Sequence, residues 1–397
     1  MNASAFNTKL PEGFYASGVN CGVRRYRPDL GIVYSDVPCV ASGVFTLNTC
    51  AAAPVTYCRS LLPAADIKAI VTNSGQANAA TGEQGVHDNL TMAEAVAATL
   101  NCATHQVLTA STGVIGQAME IDKITQAIPK TIERAQTIAN HFALAIMTTD
   151  LVPKSVYKDI TLSSGVVRIT GVAKGSGMIH PNMATMLGYF FTDAKLDIDT
   201  SNALLKEVCD MSFNMISVDG ETSTNDCAFL LANATSGVTL ATDNDAQQFK
   251  DALQEIAIFL AKSIARDGEG ASKLIEVVVK GCDDLKSARK FARSLTMSPL
   301  IKTAVYGASP NWGRIIARLG AEGATSTELN QCDIHMQGVQ LYKDGQPVIP
   351  DSAAINDRLR EDTIIILVDL KQGESEACAW GCDLTEKYVK INAEYLS

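Results

Sequence analysis

The 397-residue chain has little with which to bind a polyanion or a membrane. Its 33 Lys and Arg are outnumbered by 43 Asp and Glu, giving a net charge of −10. Nucleic acid and anionic lipid both need basic surface, to release counterions or to meet headgroups, so neither is an expected partner. No apolar run is long enough to span a bilayer, and the opening MNASAFNTKLPEGFYASG lacks the basic flank and apolar stretch of a secretory signal. The expected compartment is the cytoplasm. Histidine is scarce, with His87, His105, His141, His180 and His335 far apart in sequence. The eleven cysteines are odd in number and scattered from Cys21 to Cys382, and the closest pair, Cys378 and Cys382, has no second pair nearby. That spacing argues against a disulfide framework and leaves a four-ligand zinc site without support, so reduced, mostly buried thiols and no metal are expected.

Only 12 prolines and 19% charged residues accompany an apolar fraction of 47%, the composition of an ordinary compact globular protein. The length exceeds the usual single domain. Helical periodicity runs through Leu90, Ala93, Val96, Ala97 and Leu100, and again through Phe249, Leu253, Ile256, Phe259, Leu260 and Ile264. Both read as amphipathic helices covering a sheet. Short β-rich runs lie between them, at Ile67 to Val71, Val166 to Val172, Leu187 to Thr192, Leu274 to Val279 and Thr363 to Val368. The class is therefore α/β or α+β. After Gly281 the segment DDLKSARKFARSLTMSPL turns more basic, and this places a main domain over 1–281 and a smaller one over 282–397.

The segment KGSGMIHPNMATML, Lys174 to Leu187, crowds glycines, a proline and an asparagine into a turn between two of these strands. Such a turn presents backbone amides and lets chain segments approach closely. It is not a phosphate loop, since its lysine precedes Gly-Ser-Gly instead of following the last glycine. Read alone, Thr185 merely opens the next strand.

That segment resembles the self-cleavage site of the ornithine acetyltransferase family, also called glutamate N-acetyltransferases. The resemblance extends along the chain through GVNCGVRR (Gly18 to Arg25), NSGQANAATG (Asn73 to Gly82), STGVIG (Ser111 to Gly116), MTTD (Met147 to Asp150), DGEGASK (Asp267 to Lys273), NWGRI (Asn311 to Ile315) and the closing INAEYLS. It implies autocatalytic scission between Ala184 and Thr185, giving an α chain of 1–184 and a β chain of 185–397, which would pair and assemble further into a dimer or larger unit. It implies a layered α/β/β/α sandwich with a smaller C-terminal domain. It implies that Thr185 is the nucleophile and that the Thr112 hydroxyl and Gly113 amide form the oxyanion hole. It also implies a substrate-contacting set of Thr148, Lys174, Thr185, Glu269, Asn392 and Ser397. The reaction so implied moves acetyl from N-acetyl-L-ornithine to L-glutamate through acetyl-Thr185, in arginine biosynthesis, with no cofactor. Members that accept acetyl-CoA as a second donor substrate share these motifs with members that do not.

The chemistry suits these residue types. A threonine hydroxyl is a poor nucleophile at neutral pH and this one has no recognisable histidine base. Scission supplies one, because a freed α-amino group has an unperturbed pKa of roughly 8 and takes up the hydroxyl proton. Acetyl transfer then passes through an oxyanion that needs preorganised donors. Lysine meets a carboxylate, glutamate an ammonium, and asparagine with hydroxyls orients an amide. Singly, Lys174 and Glu269 read as solvated loop charges, and Asn392 and Ser397 as a frayed tail. Gln76, Leu151 and Ser397 depart from the family's usual residues and bear on substrate fine-tuning. Two other readings compete: a threonine-nucleophile aminopeptidase or amidase that passes its acyl group to water, and a noncatalytic binding protein on the same scaffold.

Overall fold

A computed structural model describes residues 7–180, 186–349 and 352–394. Its first sheet is built from β1 (Phe14–Val19), β2 (Leu30–Phe45), β3 (Ala64–Gln76), β4 (Val107–Val114), β5 (Lys154–Leu162), β6 (Gly165–Lys174) and β7 (Leu187–Thr192). After the two-residue β8 (Ile216–Ser217) it is completed by β9 (Cys227–Ala232). The order is β4-β3-β2-β9-β7-β6-β5, with β1 on β2. All five strand runs expected from the sequence are strands, and Leu187–Thr192 has the expected bounds.

The 16-residue β2 turns this sheet into two layers. Its first half pairs with β1 and β3, its second half with β9 and the start of β3, and the register against β3 shifts between Tyr34 and Cys39. Bulges of this kind bend a strand and sharpen its twist. Val33, Ile70 and Leu108 from one half of the sheet consequently share a buried cluster with Val172, Tyr189, Phe229 and Leu231 from the other. Across that interior the Thr72 and Tyr189 hydroxyls lie 2.8 Å apart.

Helices close both outer faces. On one, α1 (Ala53–Leu61) packs beside β4, while α2 (Gly82–Leu100) and α3 (Ile121–Glu133) cover Ile32, Val71 and Val107 with Met92, Val96, Ile124 and Ile128. The short α4 (Asn140–Ala145) sets Phe142 against Tyr189, edge to face, in the central layer. On the other face, α5 (Ile198–Met211) and α6 (Asp243–Arg266) bury Leu205, Leu253, Ile256 and Leu260 against Val156, Ile169 and Phe190. The result is the α/β/β/α layering that the family resemblance implied. Both helices expected from periodicity are present, although the buried stripe of α2 runs through Met92, Ala93 and Val96 and leaves Leu90 exposed.

A second sheet joins β8 to β10 (Leu274–Cys282), β11 (Asp333–Met336), β12 (Val339–Lys343), β13 (Gln346–Pro347), β14 (Thr363–Asp369) and β15 (Ser375–Cys382), in the order β13-β12-β11-β14-β10-β15-β8. It is covered by α7 (Leu285–Met297), whose Ala288, Phe291, Ala292 and Leu295 are buried with Ile275, Val277 and Val279. Gly281 thus lies inside β10, which pairs with β14 and β15. All eleven cysteines are free thiols, seven of them buried. No helix among the described residues is long and apolar enough to cross a membrane.

Candidate active site

The ends of β3, β4 and β6 open onto a cleft of about 260 Å³. Thr112, Gly113, Thr148, Lys174, Glu269 and Asn392 all line it, so residues spread over 280 positions of sequence meet in one place. Ala184, Thr185 and Ser397 lie outside the described residues. Met186, the residue after Thr185, lines the cleft.

Thr112 and Gly113 come at the end of β4, where parallel pairing sets Ser74 and Gly75 beside them. Gly113 has φ +134°, and a Cβ built there would stand 2.2 Å from the Gly75 carbonyl carbon. Only glycine permits that approach. Lys174 is the last residue of β6 and is 7% exposed, so it is not a solvated loop charge. Its Nζ donates to Thr112 Oγ1 and to Thr148 Oγ1, each at 3.1 Å. An ammonium has donors only, so both hydroxyls accept from it and their own protons point elsewhere. Burial pushes the Lys174 ammonium below its usual range, against the opposing pull of Asp150.

Asp150 ties the lysine to the scaffold. It is fully buried and accepts from Lys154 Nζ at 2.7 Å, from the Gly175 amide at 2.8 Å and from the Thr148 amide at 3.0 Å. Burial opposes its charge, but Lys154 and Lys174 outweigh it and hold the carboxyl well below the usual carboxylate range. Lys154 Nζ also reaches Asp267 at 2.6 Å, and the Asp267 carbonyl accepts from Ser176 Oγ at 2.6 Å. The MTTD and DGEGASK segments are therefore joined by one buried ion network. Arg24, from GVNCGVRR, donates to the Met147 and Thr148 carbonyls and braces the same loop from outside.

Glu269 is 8% exposed and accepts from Asn392 Nδ2 at 2.8 Å. The last helix, Glu386–Glu394, reaches it because Gly270 has φ +70° and a Cβ there would meet the Tyr388 amide at 2.5 Å. The tail before Ser397 is thus a docked helix up to Glu394 and no frayed end.

Several cleft residues carried no signal in the sequence reading: Asp219, Glu221, Asn225, Asp226 and Tyr388. Asn225 donates to the Ala77 and Ser111 carbonyls and so fastens the β3 and β4 ends. Asp219 accepts the Met178 and Ile179 amides at 2.7 and 2.8 Å, with Met178 in the left-handed region at φ +54°. It pins the turn that leads into the segment containing Thr185. The polar run VDGETSTND, Val218 to Asp226, was the available cue. Beside it, Arg293 Nη2 lies 2.9 Å from His180 Nε2 and Ser217 Oγ 3.2 Å from Nδ1. Burial and the guanidinium depress the imidazole to about 4, so it stays neutral at physiological pH.

Two of the departing residues are not among those that line the cleft. Gln76 is buried and its Oε1 accepts the Glu120 amide at 2.9 Å, which gives it a structural task, and Leu151 is 77% exposed. NWGRI is likewise structural, with Asn311 capping α9 (Trp312–Ala321), which follows α8 (Pro299–Tyr306). Among the described residues no three His, Cys, Asp or Glu side chains gather as metal ligands.

The chain is similar to known proteins along nearly its whole length. The chain is 44% identical over 388 residues to the arginine biosynthesis bifunctional protein ArgJ of Oceanobacillus iheyensis, covering 97% of this chain and 95% of that one. It is 45% identical to the protein of that description from Dehalococcoides mccartyi, covering 97% and 96%. The crystal structure of the Bacillus halodurans arginine biosynthesis bifunctional protein ArgJ matches with a TM-score of 0.51 and 40% identity, over 53% of this chain and 100% of that chain. With the ArgJ family model matching residues 15–397, the chain belongs to the ArgJ family, and the resemblance to the acetyltransferases of arginine biosynthesis is family membership.

Proposed function

We propose that the protein transfers acetyl from N-acetyl-L-ornithine to L-glutamate by a ping-pong route through acetyl-Thr185, and that acetyl-CoA serves as a second donor for net acetylglutamate synthesis. The observation that carries this is the cleft: a hydroxyl and a glycine at the end of β4, oriented by a buried ammonium, facing four carboxylates, Asp219, Glu221, Asp226 and Glu269. Carboxylates suit the ammonium groups of ornithine and glutamate, and the Thr112 hydroxyl and Gly113 amide suit an oxyanion. Thr185 directly precedes cleft-lining Met186, in keeping with a nucleophile delivered there by the turn that Asp219 holds.

In self-cleavage the Thr185 hydroxyl attacks the Ala184 carbonyl, the acyl group moves from nitrogen to oxygen, and water hydrolyses the ester. The freed amine then accepts the hydroxyl proton in acetyl transfer. A whole solved chain of the family accounts for 53% of this one, about the share running from Thr185 to the C-terminus, as a chain cut there would present. The two cleaved chains stay paired and assemble into a dimer or larger unit, working without metal or organic cofactor in the cytoplasm. Denaturing electrophoresis tests the route: wild type runs as two bands and Thr185→Ala as one, inactive. An active protein found only at full length refutes it.

A further inference from the structure

Although the chain as a whole is acidic, one face of α7 is strongly basic. Lys286, Arg289, Lys290 and Arg293 recur at the i, i+3, i+4, i+7 spacing that stacks side chains along one side of a helix. The opposite side of α7, carrying Ala288, Phe291, Ala292 and Leu295, is buried. With Arg318 from α9 the four cations line a groove of about 560 Å³ that also contains His180 and a single carboxylate, Glu322. Glu322 is taken up by Arg318 at 2.6 Å and Lys290 at 3.8 Å. Among the described residues Lys286 and Arg289 make no ion pair. Five cations against one carboxylate, in a protein with ten more acids than bases, is a local field that opposes folding by self-repulsion.

The groove and the cleft share a wall. Ile179 lines the cleft and the next residue, His180, lines the groove. Arg293 contacts the His180 ring at 2.9 Å, so the basic stripe ends against the turn that precedes Thr185. Because adjacent residues line the two sites, a ligand with a polyanionic head in the groove can direct an acyl end toward the cleft.

We propose that this groove binds the phosphates of a nucleotide-bearing acyl thioester, acetyl-CoA, and so forms the donor subsite that acetylornithine does not need. The proposal rests on the second-donor reading given above. Guanidinium groups suit phosphate through paired, charge-assisted hydrogen bonds, and lysines add point charges. In the step served, the Thr185 hydroxyl attacks the thioester carbonyl. A C–O ester bond forms, the C–S bond breaks, and the hydroxyl proton passes through the Thr185 amine to the departing thiolate.

The test uses the processed full-length protein and the double variant Lys286→Glu, Arg289→Glu, whose positions lie outside the cleft. Binding of adenosine 3′,5′-bisphosphate is measured by calorimetry, beside steady-state kinetics with each donor. Wild type is expected to bind the bisphosphate, more weakly as salt rises, and the variant to bind it at least about tenfold more weakly and to raise KM for acetyl-CoA by a similar factor. Its kcat and KM for acetylornithine should stay within about twofold, which also reports an intact fold. Synthesis from acetyl-CoA that the charge reversal leaves unchanged overturns the groove assignment and keeps the second donor. A wild type that makes no acetylglutamate from acetyl-CoA removes the second donor and this assignment with it.

Discussion

Replacing Lys174 by methionine separates the proposed oxyanion role of Thr112 from the stability of the fold. Methionine keeps most of the length and volume but removes the ammonium that holds Thr112 and Thr148 at 3.1 Å each. Without it the Thr112 hydroxyl is free to rotate, and one preorganised donor is degraded. Losing such a donor outright costs about 3–4 kcal/mol in the barrier, or roughly 10²–10³ in kcat. The hydroxyl itself survives, so a fall of at least about 30-fold is expected. Stability should change little. Asp150 keeps Lys154 at 2.7 Å and the Gly175 amide at 2.8 Å, and the desolvation that lowers the Lys174 pKa is relieved. That lowered pKa also predicts an alkaline limb in kcat, lost as the ammonium deprotonates below the usual lysine range, and absent from Lys174→Met. Steady-state transfer between acetylornithine and glutamate across pH, with thermal melts in parallel, measures both. A kcat within a few fold of wild type, or a loss matched by a collapse in melting temperature, refutes the reasoning.

Asp150→Asn breaks a buried ion network and should destabilise the protein by about 3–5 kcal/mol at neutral pH. The native carboxyl is depressed below its ordinary 3.8, so its contribution is complete above that value and is lost as pH falls through the native pKa. The difference in melting temperature between wild type and Asp150→Asn should therefore narrow on acidification, and a constant difference would assign the effect to packing. Asp219→Ala frees the Met178 and Ile179 amides and should slow self-cleavage more than it lowers stability, read as uncut band over time after synthesis. Processing as fast as wild type would free the turn from dependence on Asp219. Deleting Glu394 to Ser397 shortens the helix that carries Asn392 to Glu269; transfer should be crippled and scission retained, and full transferase activity would remove the tail from the site.

How much of this was legible in the residues depends on range. The strand at Leu187–Thr192 and the helix through Phe249 and Ile264 follow from local periodicity, since one apolar face decides each. Leu90 shows the limit of that logic, because its side of α2 faces no layer and only the three-dimensional stack says so. Lys174 and Glu269 look like loop charges for the same reason. Their burial comes from β3, β4, β6 and the last helix converging, pairings that no local pattern encodes. Asp219 and Asn225 escaped because their work is to hold backbone amides and carbonyls, which any polar loop residue can do. The motif resemblance pointed to Thr112, Gly113 and Thr185 as the reacting groups but assigned no task to the basic change after Gly281, whose cations α7 gathers on one side.

The proposed route turns on a covalent acetyl-enzyme, carried on a threonine made N-terminal by the protein itself. It is tested most directly by mixing the wild type with N-acetyl-L-ornithine in the absence of glutamate, quenching in acid, and reading the peptide that begins at residue 185 by mass spectrometry. One acetyl group is expected, esterified to Thr185 and discharged when glutamate is added before the quench. A peptide that still runs through Ala184, or an acetyl group carried elsewhere and unresponsive to glutamate, would contradict it.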